Sequence, residues 1–343
     1  MGKRGKWLAV VAAALSLSLL AAACVGSDDG GTGDTGSGDL TGTITISGSS
    51  TVQPISSLVA ELFNQDVAPN VSISVDGPGT GDGFVLFCGG ETDIQDASRP
   101  IEQEEMDACA QAGVEYVELE VAFDGITVMT NPANSVECLN LGDLYALFGP
   151  ESQGFASWSD ANQLATEVGG TGNFPDAPLE ITAPGQESGT YDAFIELAGF
   201  EDTALGRGVP EDQAAVLRKD YQPSPDDNVI ISAMEGSPSA LGFVGFAYAQ
   251  EAGDQVKELQ VDGGNGCVAP SVDTIADGSY PLSRSLYIYV NTAKLAENVS
   301  VRAFVDHYLS DDGLVTGVTE SGYVQLPADR VDATRAARDG AAA

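Results

Sequence analysis

The chain has 343 residues and carries 51 Asp and Glu against 14 Lys and Arg, a formal charge of −37. So acidic a protein is not drawn to nucleic acid or anionic lipid by general attraction. One histidine, His307, and five cysteines without metal-ligand spacing argue against a zinc centre, and no cofactor is implied.

Lys3, Arg4 and Lys6 precede an apolar run, WLAVVAAALSLSLLAAAC, that ends in Cys24. A basic start, an apolar core and small residues before a Cys read as an export signal over residues 1–23. An uncleaved N-terminal anchor is the alternative, because the run approaches the length of a membrane span. LAAAC resembles a bacterial lipobox, with Ala21 where Leu is usual, which implies lipidation of Cys24. Residues 24–41 hold almost nothing to bury and read as a flexible tether. Residues 329–343 read as a tail that frays. Between them lie about 290 residues, more than one hydrophobic core usually organises, so two lobes are expected.

GTITISG (42–48) alternates and is β-branched, a strand pattern. SSTVQPISSLVAELFNQ follows with Ile55, Leu58, Val59, Leu62 and Phe63 at helical spacing, Ser50 or Thr51 as N-cap and Pro54 in the first turn. NVSISVDG reads as a second strand, GPGTGDGFVLFCGG as a glycine-rich turn entering a helix, and TDIQDASR as a short strand with its loop. IEQEEMDACAQAG is a helix with an acidic start, and VEYVELEVAFDGITVMTNP crosses into the second lobe. There LNLGDLYALFG, SGTYDAFIELAGF and NVIISAMEGS read as helices, LEITAPG as a strand, ALGFVGFAYAQ as a buried strand and VKELQVDG as an outer one. RSLYIYVN returns the chain as a strand, and VRAFVDHYLSDDGLVTGVTESGY closes it with helices. The alternation predicts an α/β class with parallel sheets. The lobes are placed at 42–122 plus 284–328, and at 123–283. No internal repeat or further membrane segment is apparent.

After Cys24 an even number of cysteines remains, which in an exported protein suggests two disulfides with three possible connectivities. Cys88–Cys109 and Cys138–Cys267 are favoured because each pair then sits inside one lobe.

Three segments share a pattern of strand end, small hydroxyl and glycine residues, and helix start: SGSSTVQP, GPGTGDGF and APGQESGTYDAF. Unpaired N–H groups and the positive end of the dipole make such starts anion sites. Gly79, Gly81 and Gly189 allow close approach of backbone, and Ser50, Thr51, Thr80, Ser188 and Thr190 add hydroxyls. Beside them stands Arg99, the only Lys or Arg between Lys6 and Arg207. It reads either as an anion ligand or as a surface residue paired with Asp96 or Glu102.

GSSTVQP, GTGDGFVLFCGGETDIQDASRPI, FDGITVMTNPAN, ESGTYDAF and ALGFVGFAYA occur in an order that resembles the phosphate-binding proteins of bacterial phosphate ABC transporters. The resemblance runs from about residue 42 to 325 and implies a type-2 periplasmic-binding-protein fold. That is two α/β lobes joined by two crossovers, with phosphate in the cleft between them. It matches Ser50 and Thr51 to the donors after the first strand, Thr80 to the hydroxyl of the second turn, and Ser188, Gly189 and Thr190 to the SGT of the second lobe. Arg99, after Ser98, falls where some members carry Asp and others Arg. Many members also carry an Arg four residues before the SGT serine, where this chain has Pro184; Arg99 then reads as the one guanidinium left, moved to the other lobe.

Phosphate keeps a proton at neutral pH that sulfate lacks, so a selective site needs an acceptor carboxylate. Asp124 is the first candidate and Asp82 the second, with Asp96 and Glu187 also possible. The resemblance implies a monomeric lipoprotein on the outer face of the cytoplasmic membrane, whose partners are inorganic phosphate and a permease with a cytoplasmic ATPase. Competing readings are a receptor for sulfate, molybdate or another oxyanion, a phosphatase or serine hydrolase built on Ser188, and an adhesive or sensory surface protein.

Overall fold

The computed structural model describes residues 40–341, so the expected export signal, Cys24 and nearly all of the expected tether lie outside the described residues. β1 (Gly42–Gly48) buries Ile44 and Ile46 and leads into α1 (Gln53–Asp66), which turns Ile55, Val59 and Phe63 inward. β2 (Val71–Asp76), α2 (Thr80–Cys88), β3 (Ile94–Ala97) and α3 (Gln103–Ala112) follow. β1 lies between β2 and β3, parallel to both. β4 (Tyr116–Thr130) then carries the chain out of this first lobe.

The second lobe contains β5 (Cys138–Asn140), α4 (Leu141–Phe148), α5 (Asn162–Glu167), β6 (Glu180–Ala183), α6 (Gly189–Leu197) and α7 (Phe200–Gly206). It continues through β7 (Gln222–Pro223), α8 (Asp227–Gly236), β8 (Ala240–Gly245) and α9 (Phe246–Ala252). β9 (Lys257–Glu258), β10 (Gln260–Asp262), β11 (Cys267–Val268) and α10 (Val272–Ala276) complete it. β12 (Ser283–Asn291) returns to the first lobe, followed by α11 (Thr292–Glu297), α12 (Val299–Tyr308), a π-helical turn at Asp312–Gly317, α13 (Val318–Glu320) and α14 (Ala328–Ala341).

The main sheet runs β2-β1-β3-β12-β4-β8-β6-β7. It is mixed rather than parallel, because the crossing strands run against their neighbours: β12 is antiparallel to β3 and β4, and β4 is antiparallel to β8. One core gathers Leu119, Val121, Ala122, Leu286 and Ile288 with α1 and α12, while Phe123, Ile126 and Leu282 belong to the other. The seam between the lobes therefore falls inside β4 and just before the middle of β12. Val324 bridges to Phe123 and brings the chain across the seam once more.

Four expectations change in detail. ALGFVGFAYAQ is strand only to Gly245 and then becomes α9. VKELQVDG divides: β9 pairs with β4, whereas β10 joins a small sheet with β5 and β11 and buries Val261. Neither Ser50 nor Thr51 caps α1, whose N-cap is Val52. Residues 329–343 do not fray as a whole, since α14 occupies most of them; Arg335 ties it to Leu309 O and Asp311, and Arg330 to Glu120. Disulfides join Cys88 to Cys109, fastening α2 to α3, and Cys138 to Cys267, fastening β5 to β11.

Candidate functional site

One loop of the first lobe is stitched to the end of β3 and a second to the end of β1. Ser49 N donates to Asp96 O at 2.8 Å, and Gly79 N donates to Gly48 O at 2.9 Å. Any Cβ on Gly48 would collide with the Asp96 carbonyl, so this crossing point requires glycine. Ser49 Oγ accepts from Thr51 N at 3.1 Å. Ser49 thus holds the turn, and the Ser50 and Thr51 hydroxyls are left for other partners. Gly79, at φ +113°, turns the chain into α2, where Thr80 Oγ1 accepts from Ser98 N at 3.2 Å and lies 3.1 Å from Ser98 Oγ.

The second lobe presents α6 to these loops. Ser188 is its N-cap and accepts from Thr190 N at 3.2 Å. A Cβ on Gly189 would sit 3.3 Å from Ser50 O and 3.4 Å from Thr51 Cα, so the start of α6 lies directly against the start of α1. Asp192, one turn further, lies against the Ser50 hydroxyl, and burial raises its pKa above the usual carboxylate range.

Between them lies a guanidinium that the sequence reading did not single out. Arg284, on β12, has a side chain only 9% exposed. It donates through Nη2 to Thr51 Oγ1 at 3.1 Å and through Nη1 to Glu196 Oε2 of α6 at 2.6 Å. Its Nε approaches Asp124 Oδ2 at 3.5 Å without hydrogen-bond alignment, so both of those buried atoms remain unpartnered. Arg284 and Asp124 face each other in register across β12 and β4. Burial raises the Asp124 pKa, while Arg284 opposes the shift.

Arg99 is accordingly not the sole guanidinium available to the cleft. Its Nη1 and Nη2 form a fork on Glu105 at 2.9 and 2.8 Å, and its Nε lies 3.2 Å from Glu102. Phe84 packs beneath it, 5.9 Å from ring centre to guanidinium carbon. Four of its five donors serve these carboxylates and Pro100 O, which leaves one Nη2 hydrogen; the same nitrogen is the neighbour that a Cβ on Gly81 would meet, at 3.9 Å. Arg99 therefore stands at the first-lobe rim with most of its charge already compensated.

The other candidate carboxylates separate clearly. Asp82 and Glu187 are exposed. Asp96 is wholly buried and faces away from the cleft, accepting from Ser56 Oγ at 2.8 Å, with Tyr308 Oη 3.1 Å from that hydroxyl. Burial pushes its pKa up to about 8 against the opposing Ser56 hydrogen bond. His307 is buried on α12 against Phe63. One sequence signal could have found Arg284: it is the only basic residue on the two crossing strands, in LSRSLY, and Asp124 sits amid apolar residues in AFDGI.

Two lobes joined by crossing strands, with the starts of α1 and α6 meeting beside one buried guanidinium, give the architecture of a two-lobed binding protein with a candidate anion site. Residues 33–312 match the PBP superfamily domain. The chain is 38% identical over 293 residues to Protein SphX of Synechococcus elongatus, covering 83% of this chain and 78% of that one. It is 33% identical over 324 residues to the phosphate-binding protein PstS of Staphylococcus haemolyticus, covering 94% and 93%. The crystal structure of a possible phosphate binding protein from Planctomyces limnophilus aligns with a TM-score of 0.78 at 34% identity, over 88% of this chain and 99% of that one. The chain belongs to the PBP superfamily and, within it, to the family of PstS phosphate-binding proteins.

Proposed function

We propose that this protein binds inorganic phosphate between its lobes, outside the cytoplasmic membrane, and delivers it to the permease of an ABC importer driven by a cytoplasmic ATPase. It acts as a monomeric binding protein, not an enzyme, held at the membrane by lipid on Cys24. The observation that carries the reading is Arg284, buried where the starts of α1 and α6 meet. A tetrahedral oxyanion there takes the guanidinium together with the hydroxyls of Ser50, Thr51, Thr80 and Ser98 and the N-terminal donors of Ser188, Gly189 and Thr190. Arg99 adds its remaining N–H from the rim. Asp124, buried with Oδ2 unpartnered, is the acceptor for the phosphate proton in preference to the exposed Asp82.

Charge-assisted hydrogen bonds contribute roughly 1.5–3 kcal/mol each. A micromolar site needs only about 8 kcal/mol net, so a handful of these donors suffices even after the anion is desolvated. Calorimetry of the protein against phosphate, arsenate and sulfate tests the reading. Phosphate should bind at micromolar concentration or below and resist equimolar sulfate. Displacement by sulfate would instead favour the reading as a receptor for another oxyanion.

A further inference from the structure

The carboxylates around Arg284 differ in their freedom to move. Asp124 is buried on a crossing strand and fixed. Glu196 extends from α6 with its side chain 55% exposed, yet its Oε2 lies 2.6 Å from Arg284 Nη1. It also lies near enough to Arg99 to act on it electrostatically. Glu196 therefore offers a negative oxygen to the guanidinium that an incoming anion must use, and it comes from the lobe opposite Thr51, the other Arg284 partner. Because half of its side chain already meets water, Glu196 can turn outward at little desolvation expense, whereas Asp124 cannot.

We propose that Glu196 is a built-in counter-anion of the cleft: it occupies Arg284 when no ligand is bound and must yield that guanidinium to the bound oxyanion. This inference rests on the anion-binding reading above and adds a residue that sets affinity without belonging to the ligand shell. The contact has two consequences. An exposed carboxylate can be displaced, so the competition lowers affinity modestly instead of abolishing it. The same contact links α6 to β12 without ligand, which reduces the rearrangement required when the anion arrives.

The test compares phosphate affinity in the parent, Glu196→Gln and the control Asp202→Asn, by calorimetry at about 0.15 and 0.5 M salt. Asp202, on α7, lines a surface groove together with Asp192 and Glu196 and makes no ion pair with Arg284, so its substitution removes one nearby charge without touching Arg284. Glu196→Gln should tighten binding about fivefold at both salt concentrations, since a contact pair is poorly screened. Asp202→Asn should change it less than twofold at about 0.15 M and not at all at 0.5 M. Weaker or unchanged binding in Glu196→Gln would mean that Glu196 merely positions Arg284, and the inference falls. An equal gain in both variants would reduce it to general repulsion and also overturn it. A parent that binds neither phosphate, arsenate nor sulfate refutes the anion-binding reading itself, a result distinct from a parent that binds without a Glu196→Gln gain.

Discussion

Arg284 and Asp96 are both ionisable residues in buried surroundings, and they differ in what compensates them. Arg284 has Thr51, Glu196 and Asp124 around it, from both lobes. Arg284→Ala removes at least two donors from the proposed anion shell, so phosphate affinity should fall by about 100-fold or more, read by calorimetry. It also strands the buried Asp124, so the melting temperature should drop as well. Arg284→Lys keeps the charge but not the fork and should recover only part of the binding. If Arg284→Ala binds phosphate as well as the parent, the cleft does not use this residue. Asp96 by contrast has Ser56 on one oxygen and nothing on the other. Its folded pKa of about 8 exceeds the ordinary 3.8, so the native state holds a proton that the unfolded chain releases. Stability should therefore fall as pH rises from about 4 to 8, by up to roughly 1.4 kcal/mol per unit. Asp96→Asn keeps an acceptor for Ser56 and removes the titration. Urea midpoints at pH 5 and 8 should differ less in the variant, which should be the more stable protein at pH 8; equal slopes would show that Asp96 is not the responsible group.

At the scale of elements, what was legible followed apolar spacing. β1 and α1 are unambiguous because Ile44 and Ile46 alternate and Ile55, Val59 and Phe63 recur at helical intervals. α14 carries no apolar stripe; its Ala and Arg content favours helix intrinsically, but the ion pairs that dock it on Glu120 and Asp311 are long-range and invisible in a local window. Arg284 was missed for the same reason, because its importance comes from register with Asp124 and from the approach of α6, neither of which has a sequence period. The helix starts were legible as a pattern, yet their roles divide in a way that local reading misses: Ser49 braces one turn, Ser188 caps α6, and Thr51 faces the cation. The contact between α1 and α6 leads to a prediction that separates stability from binding. Ala is a better helix former than Gly by roughly 0.5–1 kcal/mol in a helix interior, and by less at the first position of α6, so Gly189→Ala should change stability little. Its Cβ would press on Ser50 O at 3.3 Å and hold the lobes apart. Phosphate binding should then weaken about tenfold, or 1.4 kcal/mol. Melting temperature and calorimetry on one sample separate the two effects, and undiminished affinity would show that this contact does not limit closure.

For the whole molecule, the formal charge of −37 sets a field against which any anion must approach. The cleft answers it locally with Arg284 and the starts of α1 and α6, which act over a few ångströms, whereas the surface charge acts over the screening length. That length shrinks from about 30 Å at 0.01 M salt to about 8 Å at 0.15 M. The two contributions therefore respond differently to salt: screening removes the distant repulsion while leaving the contact interactions largely intact. Salt usually slows capture of an anion by a cationic site, since it screens attraction. Here the sign should reverse, with the association rate constant for phosphate rising several-fold between about 0.01 and 0.15 M salt. Dissociation, which begins from a closed cleft where the anion touches fixed donors, should change little. Stopped-flow measurement of both rates across that range tests the balance. An association rate that fell with added salt would mean that the local field of the cleft, rather than the net charge of the protein, governs how the ligand arrives.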